Sequence, residues 1–246
     1  MIEKQIEIAT KAGRMNTFVC HPERGGPHPV VIFFMDAPGI REELRDMARR
    51  LATSGYYVLL PNLYYRSNVE ELGPFIGEAH QATRKQLFDL MGTLTIPLVM
   101  DDADALITFA QGDAAASTGA IGCVGYCMSG QYAVGTAARH PDRVGAAASF
   151  YGVRLVTDAP DSPHVTARHA KAELYIAFAE TDQDVPLDLI APLKPSLSEA
   201  NVKAEIEVYP GVEHGFAFPQ RPAYNKAAAE KHWERMLALF DRTLKA

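Results

Sequence analysis

Two hydrophobic patterns alternate along the chain. Short, unbroken apolar runs recur at intervals, and between them lie longer stretches whose apolar positions return every three to four residues. Ile6 and Ile8 share one face of an alternating first strand, Thr10-Lys11-Ala12-Gly13 makes a turn, and Met15 to Cys20 runs back. Val30 to Phe34 is apolar throughout, as in a strand covered on both faces. Glu42 to Ser54 then sets Leu44, Met47, Ala48 and Leu51 at helical spacing and stops at Gly55. The same reading predicts strands at Tyr56 to Leu60, Ile121 to Tyr126, Ala146 to Tyr151, Leu174 to Ala179 and Ala204 to Tyr209. Helices are predicted at Asp101 to Ala110, Met128 to Arg139, Leu187 to Glu199 and Ala223 to Leu244. Tyr64 to Leu98, with Pro74, Gly77, Gly92 and Pro97, is less regular. It reads as a partly helical excursion over the sheet's carboxyl edge, which either caps a pocket or simply packs there.

Strands separated by helices of ten or more residues pair in parallel through right-handed crossovers. The expected fold is α/β: a doubly wound, mostly parallel sheet with an antiparallel hairpin at its N-terminal edge, forming a single domain over 1–246. Ligands of such sheets sit outside the carboxyl ends of the strands. Composition adds little. The chain has 246 residues, 48% of them hydrophobic, and a net charge of -6, which disfavours nucleic acid and anionic membrane as main partners. No apolar stretch is long enough to span a bilayer, and Met1 to Ile8 alternates rather than forming a secretory signal, so a cytoplasmic protein is expected. Three cysteines are too few, and odd in number, for a disulfide framework, so at least one is a free thiol.

Gly125-Tyr126-Cys127-Met128-Ser129-Gly130 carries the chemistry. It joins a strand to a helix by a turn tight enough to need small residues beside its apex, which pushes the apex side chain out at the top of the sheet. This is a nucleophile elbow with Cys127 at the apex and Ser129 where glycine is usual. The N-terminus of the following helix favours the thiolate, and the Met128 N–H can donate to an oxyanion. The alternative is that Cys127 is small buried filler, the reading given to Cys20 and Cys123. A base and an orienting acid are expected to follow in the order acid, then histidine. Asp182 lies just past one predicted strand and His214 just past the next. Glu180 and Asp184 are neighbouring acids that compete with Asp182. Of the other histidines, His21, His28, His140 and His164 neighbour prolines, and His80, His169 and His232 lie on stretches read as solvated. The second oxyanion donor belongs in Met35-Asp36-Ala37-Pro38-Gly39, where Pro38 has no N–H and Ala37 is the better candidate. Asp36 either accepts the thiol's hydrogen bond or caps the next turn.

These residues resemble the dienelactone hydrolase family of the α/β-hydrolase fold. The likeness runs through Asp36 to Gly39, Arg45 to Ala52, Pro61 to Arg66, Gly125 to Gly130, Tyr151-Gly152, Asp182 to Pro186 and His214-Gly215-Phe216. It implies a Cys127–His214–Asp182 triad, an oxyanion hole from the Ala37 and Met128 N–H groups, and Asp36 in the place of the thiol's usual glutamate partner. It also implies hydrolysis of a small ester or lactone through a thioester, with no cofactor and no metal. Tyr64, Arg84, Phe216 and Phe218 fall in the stretches expected to line the pocket. Phe218 stands where the family would carry an arginine, and Arg221 and Tyr224 either contact substrate or hold neutral surface roles, the second being the reading preferred. Peptide bonds are not expected substrates, and a monomer or weak homodimer is expected. Three rival readings are an esterase or thioesterase for neutral acyl groups, a non-catalytic α/β binding module, and a redox-sensing thiol at Cys127.

Overall fold

The apolar runs do become buried strands. In the computed structural model, which describes residues 1–73 and 80–245, eight strands form one sheet in the order β1-β2-β4-β3-β5-β6-β7-β8. They are β1 (Ile2–Thr10), β2 (Gly13–His21), β3 (Val30–Phe34), β4 (Tyr57–Pro61), β5 (Ile121–Tyr126), β6 (Val144–Phe150), β7 (Glu173–Thr181) and β8 (Ala204–Glu213). β1 pairs antiparallel with β2 and β2 with β4, and every later pairing is parallel. All residues of β3, β4 and β5 are buried, as strands covered on both faces must be.

The helices are α1 (Glu42–Thr53), α2 (His80–Gly92), α3 (Ile96–Gly112), α4 (Gly130–Arg139), α5 (Pro163–Thr166), α6 (Leu193–Glu199) and α7 (Lys226–Leu244). α1 and α7 share one face, joined where Arg50 meets Glu230 at 2.6 Å, and α3 and α4 share the other. α4 is rich in small residues, and its buried face includes Gly130, Ala133, Gly135 and Ala137, so it packs close beneath β5 and β6.

Three helix boundaries differ from the sequence reading. α3 begins five residues earlier, at Ile96, because Thr95 caps it by accepting from the Leu98 N–H (3.3 Å) and Pro97 sits in the first turn, where its missing donor is harmless. Only Leu193–Glu199 of the predicted 187–199 stretch is helical, after a series of turns that runs up to Pro192. α7 starts at Lys226, capped by the Asn225 side chain. His232 is also not solvated. It lies on the face of α7 shared with Ala228, Ala229, Trp233, Met236 and Phe240 and is fully buried. Of the 64–98 excursion, the part over 80–92 is helical, while Pro74 and Gly77 lie outside the described residues.

From β3 the chain moves outward to β4 on one side, and from β5 it proceeds to β6, β7 and β8 on the other. The direction of winding therefore reverses between β3 and β5, and the loops leaving their carboxyl ends diverge to open a crevice.

Candidate active site

Cys127 directly follows β5 and holds a left-handed backbone, φ 53°. A non-glycine residue pays about 1–3 kcal/mol for such a conformation, so the surrounding structure must enforce it. Two glycines make that feasible. A Cβ on Gly125 would meet the Ser129 carbonyl, and one on Gly130 would meet Ser149 Oγ and the Gly152 Cα. Ser129 does fit in the position where glycine is usual. It is fully buried, and its hydroxyl donates to the Met35 carbonyl, which ties the elbow to the loop after β3. Residues 127–129 form a short 3-10 turn that runs directly into α4, so the helix end still faces the sulfur.

β7 and β8 each extend a few residues further than the sequence implied, and so Asp182 and His214 are the first residues past their ends. His214 Nδ1 and Asp182 Oδ2 are 2.8 Å apart. The carboxylate can only accept, so Nδ1 carries a proton and Nε2 is the ring position left to exchange one with a reacting group. The other Asp182 oxygen accepts from the N–H groups of Asp184 (2.9 Å) and Val185 (3.1 Å), which fixes the acid from below. Burial pushes the imidazole pKa down, but the Asp182 hydrogen bond and the adjacent Cys127 thiol outweigh it and raise it to about 10. Nε2 is buried and has no well-aligned hydrogen bond among the described residues. Cys127 is thus a close electrostatic neighbour whose sulfur is not yet aimed along the lone pair, a looseness common in unliganded sites. The other two cysteines are buried thiols of a different kind: desolvation pushes Cys20 up to about 12 and Cys123 higher still.

Cys127 and His214 open onto a cavity of about 490 Å³. Asp36, Ala37, Arg84, Phe218 and Arg221 line it, as do Leu87, Phe88 and Met91 of α2 and Tyr151, Val153 and Arg154 beyond β6. The Ala37 N–H meets no acceptor among the described residues. Two predicted pocket residues lie beneath the wall instead of in it. Tyr64 is buried and donates to the Ala37 carbonyl at 2.8 Å, bracing the loop that presents the Ala37 N–H. Phe216 is buried under Tyr151 and stacks on Tyr209. Arg84 lines the rim with its guanidinium 5.3 Å from the Phe88 ring.

Asp36 has partners the sequence did not indicate. Arg41 Nη1 and Nη2 donate to its two oxygens at 2.6 and 3.1 Å, and Arg221 adds a third bond at 3.2 Å. No hydrogen bond joins Asp36 to Cys127 among the described residues. Arg41 also donates to Glu43, and Glu43 accepts from the Gln220 N–H at 2.8 Å. This buried ion network therefore fastens the loop after β3 to the loop that carries His214. Arg221, read as a surface position, is part of it. Tyr224 lies in a separate hollow between α1 and α7. Ligand atoms of Asp182, Asp184 and His214 fall within 4.8 Å of one another, close enough for a small cation, but both Asp182 oxygens and His214 Nδ1 are already hydrogen-bonded.

The fold, with its elbow between β5 and α4, defines an α/β-hydrolase. A profile of the dienelactone hydrolase family matches residues 15–244. The chain belongs to the dienelactone hydrolase family, whose members are hydrolases of esters and lactones. It is 30% identical to a Methylorubrum extorquens protein named "Putative carboxymethylenebutenolidase" over 96% of this chain and 79% of that one. An Escherichia coli K12 protein of the same name is also 30% identical, over 95% of this chain and 84% of that one. A crystal structure from Klebsiella pneumoniae, described as a "Putative Dienelactone Hydrolase", superposes with a TM-score of 0.85 at 27% identity and covers 97% of this chain and 98% of that one. No helix among the described residues is long and apolar enough to cross a membrane.

Proposed function

We propose that this enzyme cleaves a small ester or lactone through nucleophilic attack by Cys127, with His214 as base, Asp182 as its orienting acid and a thioester as intermediate. The observation that carries the reading is the left-handed Cys127 at the elbow apex, in the same cavity as a His214 whose Nδ1 is tied to Asp182 and whose Nε2 is unpartnered. His214 takes the thiol proton, and the thiolate adds to the carbonyl carbon. The N–H groups of Ala37 and Met128 receive the oxyanion, each worth about 3 kcal/mol in comparable sites. Collapse breaks the carbon–oxygen bond, and the departing oxygen takes the proton from His214. Water then adds to the thioester with His214 accepting its proton, and Cys127 leaves as thiolate and is reprotonated. A thiolate is a better leaving group than an alkoxide, so the design suits esters with acidic leaving groups, enol lactones above all. No step needs a cofactor or a metal. Three free cysteines fit a reducing compartment such as the cytoplasm, and the assembly we propose is a monomer or weak homodimer.

A second reading, an esterase or thioesterase for neutral acyl groups, is favoured by the apolar wall of Leu87, Phe88, Met91, Val153 and Phe218. The test is hydrolysis of p-nitrophenyl acetate and a panel of enol lactones and alkyl thioesters, with Cys127→Ala as control. The expected outcome is turnover that the substitution abolishes, with an acyl mass added to the Cys127 peptide on rapid quenching. Turnover that survives Cys127→Ala refutes the mechanism.

A further inference from the structure

Besides His214 Nε2, one more buried side-chain polar atom of the cavity wall lacks a partner among the described residues. Tyr151 follows β6, lines the cavity beside Cys127, and is fully buried. Its hydroxyl makes no hydrogen bond among the described residues. Its position is not accidental slack. The backbone is left-handed there, φ 40°, and the Tyr151 N–H donates to the Ala177 carbonyl at 2.7 Å. The ring packs against His214 (centroids 4.9 Å apart) and Phe216 (5.2 Å). The hydroxyl stands within the electrostatic reach of Asp36, Cys127 and Arg221, and burial holds it protonated, with its pKa well above the ordinary tyrosine value. A neutral phenol held rigidly beside a nucleophile, with nothing to donate to, is an unfavourable arrangement for the resting protein.

We infer that Tyr151 Oη is a hydrogen-bond donor to the substrate, used as the tetrahedral adduct on Cys127 forms and collapses. This rests on the proposed Cys127 chemistry. The ester carbonyl oxygen belongs to the Ala37 and Met128 N–H groups, so Tyr151 serves a second acceptor oxygen on the substrate, the ring or alkoxy oxygen that departs. The donor does not transfer its proton, which remains the task of His214. Neither Tyr151 Oη nor His214 Nε2 is reached by water in the resting protein. Their interactions are therefore made on the way to the transition state and appear in kcat more than in KM.

The test is Tyr151→Phe, which removes only the hydroxyl. Because that atom is unpartnered at rest, the variant is expected to melt at the wild-type temperature or above it, while kcat for lactone hydrolysis falls about ten-fold with KM little changed. The rate of Cys127 alkylation by iodoacetamide is expected to stay at the wild-type value, since that reaction has no ester oxygen to stabilise. Wild-type kcat in the variant overturns the inference. So does a lowered melting temperature, which would mean the hydroxyl has a structural partner. Slowed alkylation overturns it as well, because the hydroxyl would then act on the thiol and not on the substrate. Cys127→Ala, assayed in parallel, tests the underlying chemistry separately: activity there would sink the nucleophile assignment, whereas an inactive Cys127→Ala beside a fully active Tyr151→Phe sinks only the role of Tyr151.

Discussion

His214 and His232 are both withdrawn from water, one at the catalytic edge of the sheet and one on α7 against its face, and burial pushes both imidazoles toward neutrality. They end far apart. His214 faces the Asp182 carboxylate and the Cys127 thiol, and its pKa rises to about 10. His232 has only neutral partners: its Nδ1 donates to the Ala229 carbonyl, and its Nε2 accepts from the Tyr126 hydroxyl at 2.9 Å. With Phe150 edge-on at 4.7 Å and Tyr126 and Trp233 around it, its pKa falls to about 3. Burial alone yields an inert hydrogen-bonding plug, and an adjacent charge makes the same side chain a proton acceptor. The two are also linked, because His232 anchors the ring of Tyr126, the residue just before the elbow cysteine.

The sharpest way to break the contrast is to remove the charge. Asp182→Asn keeps the shape but loses the carboxylate, and turnover is expected to fall about 10³–10⁴-fold while the fold survives, as seen by steady-state kinetics beside circular dichroism. In the same variant the His214 titration midpoint, followed by NMR, should drop. An unmoved midpoint would mean that Asp182 is not what raises it. His232→Leu should do the opposite. It leaves the Tyr126 hydroxyl with only the weak Met236 sulfur acceptor at 3.9 Å and is expected to destabilise the protein by about 1–3 kcal/mol in urea unfolding, with kcat nearly intact. A large loss of kcat at unchanged stability would show that His232 reaches the elbow's chemistry.

The pH dependence of stability separates the same pair without a substitution, and here the two histidines have opposite signs. The unfolded chain binds a proton at His232 near pH 6.5, but the folded chain does so only near 3, so stability falls as the pH is lowered through that window. His214 binds its proton more tightly when folded. Its contribution is complete below about pH 6.5 and fades as the pH rises toward 10. Thermal melting across this range should show both limbs, and His232→Leu should flatten the acid limb alone.

The sheet was legible because strands covered on both faces need unbroken apolar runs, and β3, β4 and β5 have them. The elbow was legible because its turn permits so few side chains, and Asp182 and His214 because each follows a strand. What escaped notice depends on distant encounters. The Arg41–Asp36–Arg221 network spans 185 residues in sequence, and no spacing rule announces it. Tyr64 and Phe216 were placed in the pocket by their segments, but each turned inward, one to brace the Ala37 loop and one to support Tyr151. His232 was misjudged because a histidine is itself a weak signal of burial, although Trp233, Met236 and Phe240 share its face of α7. The start of α3 was missed because Pro97 was counted among the marks of an irregular stretch, when it occupies the one helical turn that tolerates it.

One arrangement has a bearing on descent. Cys127, Asp182 and His214 stand at the ends of strands, whereas Arg84, Leu87, Phe88 and Met91 reach the same cavity from one face of α2, inside the single excursion between β4 and α3. One wall of the cavity is thus encoded apart from the strand ends, and a lineage carrying this chain can rewrite that short stretch while Val153, Arg154 and Phe218 keep the opposite wall.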